Sequence, residues 1–99
     1  MTVVRWTEQA VQDLQAIREF IERDSPRYGR LVAERLFDAT SRIEGFPGSG
    51  RMVPELGRED VRELIVGDYR IVYRLEADLA VLLTLYRSSM LFPYRLFDE

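Results

Sequence analysis

The 99-residue sequence contains no cysteine and no histidine. The absence of cysteine excludes disulfides, thiol catalysis and zinc–thiolate sites. The absence of histidine removes the commonest metal ligand and the commonest general base. No pair of carboxylates has a spacing that commits it to metal binding. We therefore expect neither a metal ion nor another cofactor.

Lysine is also absent, so all fourteen basic residues are arginines. An arginine presents a planar fork that binds carboxylate or phosphate bidentately, whereas lysine acts as a point charge. Genomic base composition is an alternative explanation for this choice. The formal net charge of -3 argues against a general nucleic-acid binder. We expect no sequence-specific DNA binding by this chain alone, although a local arginine patch stays open.

Long apolar runs are missing as well. The longest, residues 79–83, is far shorter than the ~20 residues of a membrane span. Residues 1–6 lack the basic start and apolar run of a signal peptide, so we expect a cytoplasmic protein without membrane contact. The hydrophobic fraction of 46% and charged fraction of 31% indicate a folded chain. We expect one domain over residues 1–99, because no repeat or linker divides it.

The first half of the chain predicts a strand and two helices. Residues 3–6 are β-branched and aromatic, as in a short strand. Residues 8–23 carry apolar side chains at helical spacing after a threonine that suits the N-cap. Ser25-Pro26 then begins a second helix, which ends at Gly45 before Pro47. The short connection predicts an antiparallel helix hairpin.

The second half predicts β-structure. Residues 48–57 form a glycine-rich loop that fits neither common phosphate-binding motif. Three strand patterns follow, over residues 61–66, 69–74 and 79–87. Gly67-Asp68 suits a type II′ hairpin turn. The order strand, helix, helix and three antiparallel strands predicts an α+β two-layer sandwich, while the edge at which the first strand pairs stays open.

The predicted hairpin register separates two faces of the sheet. Side chains alternate along each strand, so Leu64 and Ile71 lie on an apolar face, which we expect to pack against the helices. The opposite face mixes apolar and charged residues, and an antiparallel sheet can leave one face toward solvent. On that face Glu63 lies diagonal to Arg70 and Arg74 and could pair with both.

Several short sequence motifs occur in an order that is typical of one protein family. They are Trp6, Ala10 and Asp13-Leu14 on the first helix side, Ser25-Pro26, Phe46-Pro47, Gly50-Arg51-Met52-Val53-Pro54-Glu55, Arg62-Glu63-Leu64, and Tyr69-Arg70-Ile71-Val72-Tyr73-Arg74. Together they resemble the ParE/RelE superfamily of toxins from bacterial type II toxin–antitoxin modules, over about residues 4–87. The Gly-Arg-x-Val-Pro-Glu and Arg-Glu-Leu words are closer to the ParE branch.

The resemblance implies a growth-inhibiting toxin that a cognate antitoxin neutralises. ParE-like members are associated with poisoning of DNA gyrase, whereas RelE-like members cut mRNA in the ribosomal A site. Because arginine is a poor general base, we predict a ParE-like gyrase inhibitor without catalytic residues. The alternative is a ribosome-dependent endoribonuclease with Arg62, Arg87 and Tyr94 in its site. A third hypothesis is a module that has lost toxicity and keeps only antitoxin binding.

The partner implied by the resemblance is a ParD-like antitoxin, acidic and partly disordered until it binds. We expect it to cover apolar surface on the helices and the open sheet face. Its predicted contacts are Glu63, Arg70, Val72, Arg74 and Arg87. The apolar tail, residues 88–97, has two interpretations. Leu91, Phe92 and Phe97 either fold back to complete the core or form a patch for a partner.

Three single residues carry further expectations. Trp6 is expected in the core, since a tryptophan on a strand is more often packed than exposed. Arg51 is expected to tie its loop to Glu55. Asp13 is expected on the solvated side of the first helix, while the resemblance also allows it a hydrogen bond to the sheet.

Overall fold

The computed structural model describes residues 2–97. Its regular elements, in chain order, are β1 (Val3–Trp6), α1 (Glu8–Glu22), α2 (Pro26–Gly45), β2 (Arg51–Met52), β3 (Val61–Val66), β4 (Tyr69–Glu76) and β5 (Leu79–Arg87). Both helices pack on one face of a five-stranded sheet with the order β1-β5-β4-β3-β2. The predicted α+β two-layer architecture is confirmed.

The helices begin where the sequence predicts. The Thr7 side chain accepts a hydrogen bond from the Ala10 amide and caps α1, and the Ser25 side chain caps α2 in the same way. Such caps satisfy amides that have no partner inside the helix. Gly29 lets the two helices approach closely, because a Cβ there would lie 2.4 Å from Cγ of Glu22.

The β3–β4 hairpin has the predicted register. Leu64 lies opposite Ile71, and Val66 lies opposite Tyr69. Gly67 has a φ of 58°, as the first central residue of a type II′ turn requires. The next turn differs from the prediction, because β4 continues to Glu76 and leaves only Ala77 and Asp78 between the strands.

Two features of the sheet were not predicted. β1 pairs in parallel with the first part of β5, over residues 79–82. The segment predicted as a plain loop contains the short strand β2, which pairs with β3 and places Arg51 opposite Glu63. Neither pairing leaves a periodic signal in so few residues.

Apolar cores lie on both faces of the sheet. The larger one is between the helices and the sheet and includes Leu36, Ile43, Ile71 and Leu82. The second lies on the opposite face, where Val61 and Val72 are completely buried. The expectation that this face is open to solvent is therefore wrong.

The chain covers its own second face. Val53 and Leu56 from the segment after β2, together with Phe92 and Phe97 from the tail, pack over Val61 and Val72. Removing such apolar surface from water is favourable by about 25 cal/mol per Å², which explains why the tail folds back. Of the three tail residues for which the sequence left both interpretations open, Phe92 and Phe97 fold back, whereas Leu91 is 94% exposed.

Candidate functional site

A buried arginine lies at the centre of the second face. Arg70 on β4 is only 7% exposed. Its Nη1 and Nη2 donate to the two carboxylate oxygens of Glu55 at 2.9 and 2.8 Å, and its Nε donates to Glu63 at 2.5 Å. These are charge-assisted hydrogen bonds in the bidentate geometry that arginine favours. The guanidinium is therefore bound by carboxylates of its own chain.

Glu63 joins this cluster to β2. Its side chain is buried and also accepts a hydrogen bond from Nε of Arg51 at 2.7 Å. The predicted pairing of Glu63 with Arg70 is confirmed. The predicted pairing with Arg74 is wrong, because Arg74 lies 3.6 Å from Glu76 instead.

The expected contact between Arg51 and Glu55 is also replaced. Arg51 binds Glu63, because β2 pairs with β3 and sets the two residues opposite each other. Glu55 then remains available to Arg70. We call these four residues the arginine–glutamate cluster: Glu55, Glu63, Arg51 and Arg70.

Aromatic rings close this cluster from the outside. Cζ of Arg70 lies 5.3 Å from the ring centroid of Tyr86 and 5.5 Å from that of Phe92. These distances allow cation–π attraction. Phe92 also stacks on Phe97 with the ring centroids 5.3 Å apart. The tail thus covers the cluster in two ways. The Phe92 ring contacts the charged guanidinium of Arg70, and Phe92 and Phe97 pack on the apolar side chains around it.

The hydrogen bonds between Arg70 and Glu55 keep both of these groups charged. The hydrogen bonds from Arg70 hold the pKa of Glu55 below its usual value. The same hydrogen bonds raise the pKa of Arg70, which stays a cation. Burial raises the pKa of the neighbouring Tyr86 to about 12, so its hydroxyl stays protonated at neutral pH. Neither Glu55 nor Arg70 is therefore poised to exchange a proton near pH 7.

The predicted antitoxin contacts divide into two sets. Glu63, Arg70 and Val72 are buried, and a partner cannot reach them while the tail is in place. Arg74 is partly exposed and Arg87 is exposed. The sequence analysis did not place Glu55 or Phe92 beside Arg70, because neither residue shares a periodic pattern with Arg70.

The three residues of the endoribonuclease alternative are not brought together. Arg62 lies beside Tyr73 on β4, and Arg87 lies beside Tyr69. Four residues along a strand span about 13 Å. Tyr94 packs against Phe92 in the tail, with the ring centroids 4.9 Å apart. Arg62 also donates to the carbonyl oxygens of Glu59 and Gly50.

An aromatic surface lies between β1 and α2. The rings of Trp6 and Phe37 stack with centroids 5.8 Å apart, and Phe37 is 56% exposed. Together with Val11 and Leu14 they line an open groove of about 280 Å³. Trp6 is partly buried against the core, as expected, but one side of it meets this groove.

A second apolar groove lies between α1, the end of β5 and the tail. Its volume is about 420 Å³, and a groove of about 300 Å³ adjoins it. Ala16, Ile17, Arg87 and Met90 line both. Asp13 lies at one end, where its carboxylate accepts hydrogen bonds from the Thr84 hydroxyl and the Leu85 amide. The hydrogen bond from Asp13 to the sheet that the resemblance allows is thus present.

Residues 2–97 contain no group of three acidic, cysteine or histidine side chains close enough to hold a metal ion. Over the same residues, neither helix combines the length and apolarity that crossing a bilayer would need.

Comparison with known proteins gives consistent results. Residues 4–92 match the family model described as the ParE toxin of type II toxin–antitoxin systems. The candidate toxin Y4kP of Sinorhizobium fredii is 35% identical over 82 residues, which cover 80% of this chain and 81% of that protein. Toxin RelE2 of Caulobacter vibrioides is 38% identical over 66 residues, which cover 67% and 70%.

Solved structures show the same fold. The chromosomal ParDE system of P. aeruginosa aligns with a TM-score of 0.73 at 21% identity, covering 88% of this chain and 96% of the other. The RelBE2 toxin–antitoxin complex of Mycobacterium tuberculosis aligns with a TM-score of 0.55 at 26% identity, covering 87% and 96%. From the match along nearly its whole length and from these relatives, the chain belongs to the ParE toxin family of type II toxin–antitoxin systems.

Proposed function

We propose that this toxin inhibits growth by binding DNA gyrase without covalent chemistry, and that a ParD-like antitoxin restrains it. The observation that carries the proposal is the ParE family match over residues 4–92. The known association of ParE-like toxins with gyrase then supplies the target. The fold alone supplies no target, because ParDE and RelBE2 proteins share it.

The arrangement of the basic residues supports a binding protein over a nuclease. Phosphodiester cleavage needs groups that converge on one reacting centre. Arg62 and Arg87 lie at different ends of the sheet, and Tyr94 lies in the tail. The chain also contains no histidine or lysine to act as a base.

The exposed surface supports an antitoxin partner. Phe20 and Phe37 on the helices are 58% and 56% exposed, and exposed aromatic patches commonly mark interfaces. Arg74 and Arg87 are accessible to an acidic chain. We place the antitoxin contacts on these residues. Glu63, Arg70 and Val72 would then contribute indirectly, by holding the second face and its tail in place.

A mechanism follows from these contacts. The antitoxin folds over apolar helix surface, and its carboxylates pair with exposed guanidinium groups. Binding of this kind blocks the toxin surface that gyrase needs. When the antitoxin is removed, the same surface is available to gyrase, and no bond in either protein has to be broken.

Induction of the chain in cells separates the target classes. We expect DNA breaks with gyrase trapped on them, and no mRNA fragments of the kind that ribosome-dependent cleavage produces. Co-expression of the antitoxin should restore growth fully. Purified toxin should inhibit supercoiling by purified gyrase, and prior mixing with the antitoxin should prevent that inhibition. Growth arrest with intact DNA and unaffected gyrase would contradict the proposal.

A second candidate is mRNA cleavage, which the 38% identity to a protein named Toxin RelE2 favours. It predicts cut mRNA in a translation extract and loss of cutting in Arg87→Ala. A chain that binds the antitoxin but causes neither effect would be an interaction module without toxicity.

A further inference from the structure

The end of β5 has an unpaired edge. β5 spans Leu79–Arg87, but β1 pairs only with residues 79–82. In the part of the chain that the structure describes, no strand lies beside residues 83–87 on the side away from β4. Such an edge presents backbone donors and acceptors that can pair with another chain.

The backbone groups on this edge can be identified one by one. The Ser88 amide donates to the Asp68 carbonyl on the β4 side, so alternation along the strand directs the groups of Leu85 and Arg87 away from β4. Asp13 accepts from the Leu85 amide at 3.1 Å. The Arg87 carbonyl accepts from the Met90 amide at 3.0 Å.

Of the four backbone groups of Leu85 and Arg87, two are therefore left for an incoming chain, since no described residue binds them. They are the Leu85 carbonyl and the Arg87 amide. One residue of a parallel strand satisfies both, because its amide reaches the first group and its carbonyl reaches the second. β1 makes the same kind of parallel pairing further back along β5.

The surroundings of this edge accept apolar side chains. The edge opens into the groove of about 420 Å³ between α1 and the tail. Ala16, Ile17 and Pro93 contribute apolar lining, and Met90 and Leu91 at the rim are 62% and 94% exposed. An extended segment with apolar side chains would bury this surface while its backbone pairs with β5.

The charge and the shape of the groove indicate which kind of chain can occupy it. Arg87 and Arg95 line the groove and form no ion pair with any described residue, so carboxylates are favoured beside them. α1 and the tail wall the groove on either side. This shape suits an isolated extended segment better than the edge of a folded sheet in a second copy, which would bring further strands against these walls.

We propose that residues 83–87 are a strand-addition site for a short extended segment of the antitoxin that carries apolar and acidic side chains. This inference rests on the proposed antitoxin partnership. It specifies where the antitoxin segment binds and in which direction it runs. The segment lies parallel to β5, and its backbone pairs with the Leu85 carbonyl and the Arg87 amide.

Two variants of one residue test the backbone contact. Arg87→Pro and Arg87→Val remove the same charge, but only proline removes the amide hydrogen. That amide points away from β4, so its loss leaves the sheet pairing intact. We expect the affinity for the purified antitoxin to be at least about tenfold lower for Arg87→Pro than for Arg87→Val. Thermal melts test whether both variants fold.

Hydrogen exchange on the unmodified toxin gives an independent measurement. We expect the antitoxin to slow exchange of the Arg87 amide at least about tenfold. The Leu85 amide should change less, because Asp13 already binds it. This measurement needs no variant, so it decides the question even if Arg87→Pro does not fold.

The outcomes separate the two proposals. If the unmodified toxin does not bind the antitoxin, the antitoxin partnership itself fails. If it binds, but proline and valine act alike and the Arg87 amide gains no protection, strand addition is wrong and the partnership stands. A loss of affinity in Ala16→Glu without protection at Arg87 would indicate a helix in the groove and would also overturn the proposal.

Discussion

The Asp13 carboxylate on α1 accepts a hydrogen bond from the Thr84 hydroxyl on β5 at 2.5 Å. The same oxygen accepts from the Leu85 amide, and Gln9 donates to the other carboxylate oxygen at 2.8 Å. One side chain thus joins the first helix to the central part of the sheet. It does so where β1 has ended and no longer covers β5.

This relationship predicts a stability loss in Asp13→Ala. The Leu85 amide and the buried Thr84 hydroxyl would both lose their acceptor, and each orphaned group costs about 1–3 kcal/mol. We expect the free energy of unfolding in urea to fall by at least about 2 kcal/mol. Asp38→Ala is the control, because Asp38 is exposed on α2. Equal losses in both variants would contradict the assigned role of Asp13.

Two tyrosines on opposite faces should respond differently to loss of the hydroxyl. The Tyr86 hydroxyl is buried without a hydrogen-bond partner among the described residues. The Tyr73 hydroxyl accepts from the Gly50 amide and donates to the Pro47 carbonyl. We expect Tyr86→Phe to leave stability unchanged or higher, and Tyr73→Phe to lower it by about 1–3 kcal/mol. Urea unfolding of both at pH 7 measures the contrast.

The same tyrosine predicts a response to alkaline pH. Burial raises the pKa of Tyr86 from 10.0 to about 12. Its contribution to stability is therefore complete below pH 10 and is lost as pH rises through the folded value. The stability difference between the unmodified chain and Tyr86→Phe should shift in favour of the variant over that range. A difference that stays constant would contradict the raised pKa.

An acidic response is expected from Glu55. Its pKa is lowered from 4.5 by the hydrogen bonds from Arg70. A depressed folded pKa contributes stability above the unfolded value, and this is lost as pH falls through the folded value. We expect the unmodified chain to be more stable than Glu55→Gln at pH 6 and the difference to shrink with acidification below pH 4.5. Urea titrations at several pH values measure this change.

The burial of Arg70 separates it from Arg74 on the same strand. Removing one partner of a buried ion pair leaves an uncompensated charge and costs about 3–5 kcal/mol. We expect a loss at the lower end of this range in Arg70→Met, because the completely buried Glu63 would keep only Arg51 as its partner. Arg74→Met should cost less than about 1 kcal/mol, since that pair is exposed. Similar losses for both would show that the tail does not seal Arg70 in solution.

Much of the local structure follows from the sequence. The caps at Thr7 and Ser25, the helical spacing and the β3–β4 register depend on residues near one another in the chain. Short-range geometry fixes such features, so periodicity and turn chemistry predict them. The family resemblance rested on motifs in these segments and in the loop over residues 46–55, and the ParE match confirmed it.

The candidate site was predicted less well. Glu63 and Arg70 were recognised as neighbours, since strand register sets their distance. The sealing of this pair by Phe92 and Glu55 was not predicted, because a tail and a loop carry no period that shows where they return. Arg87 was selected for its charge alone, and only the fold shows it beside an unpaired strand edge.

The sequence by itself determined the two helices, the hairpin and a set of side chains without thiol, imidazole or lysine amine groups. Nearest-neighbour sterics and side-chain composition decide these properties before the chain is compact. The tertiary structure alone decided which sheet face is closed, which arginines a partner can reach and where β5 is left unpaired. These depend on contacts between residues far apart in the chain, and the burial of apolar surface selects among such contacts only when the whole domain packs.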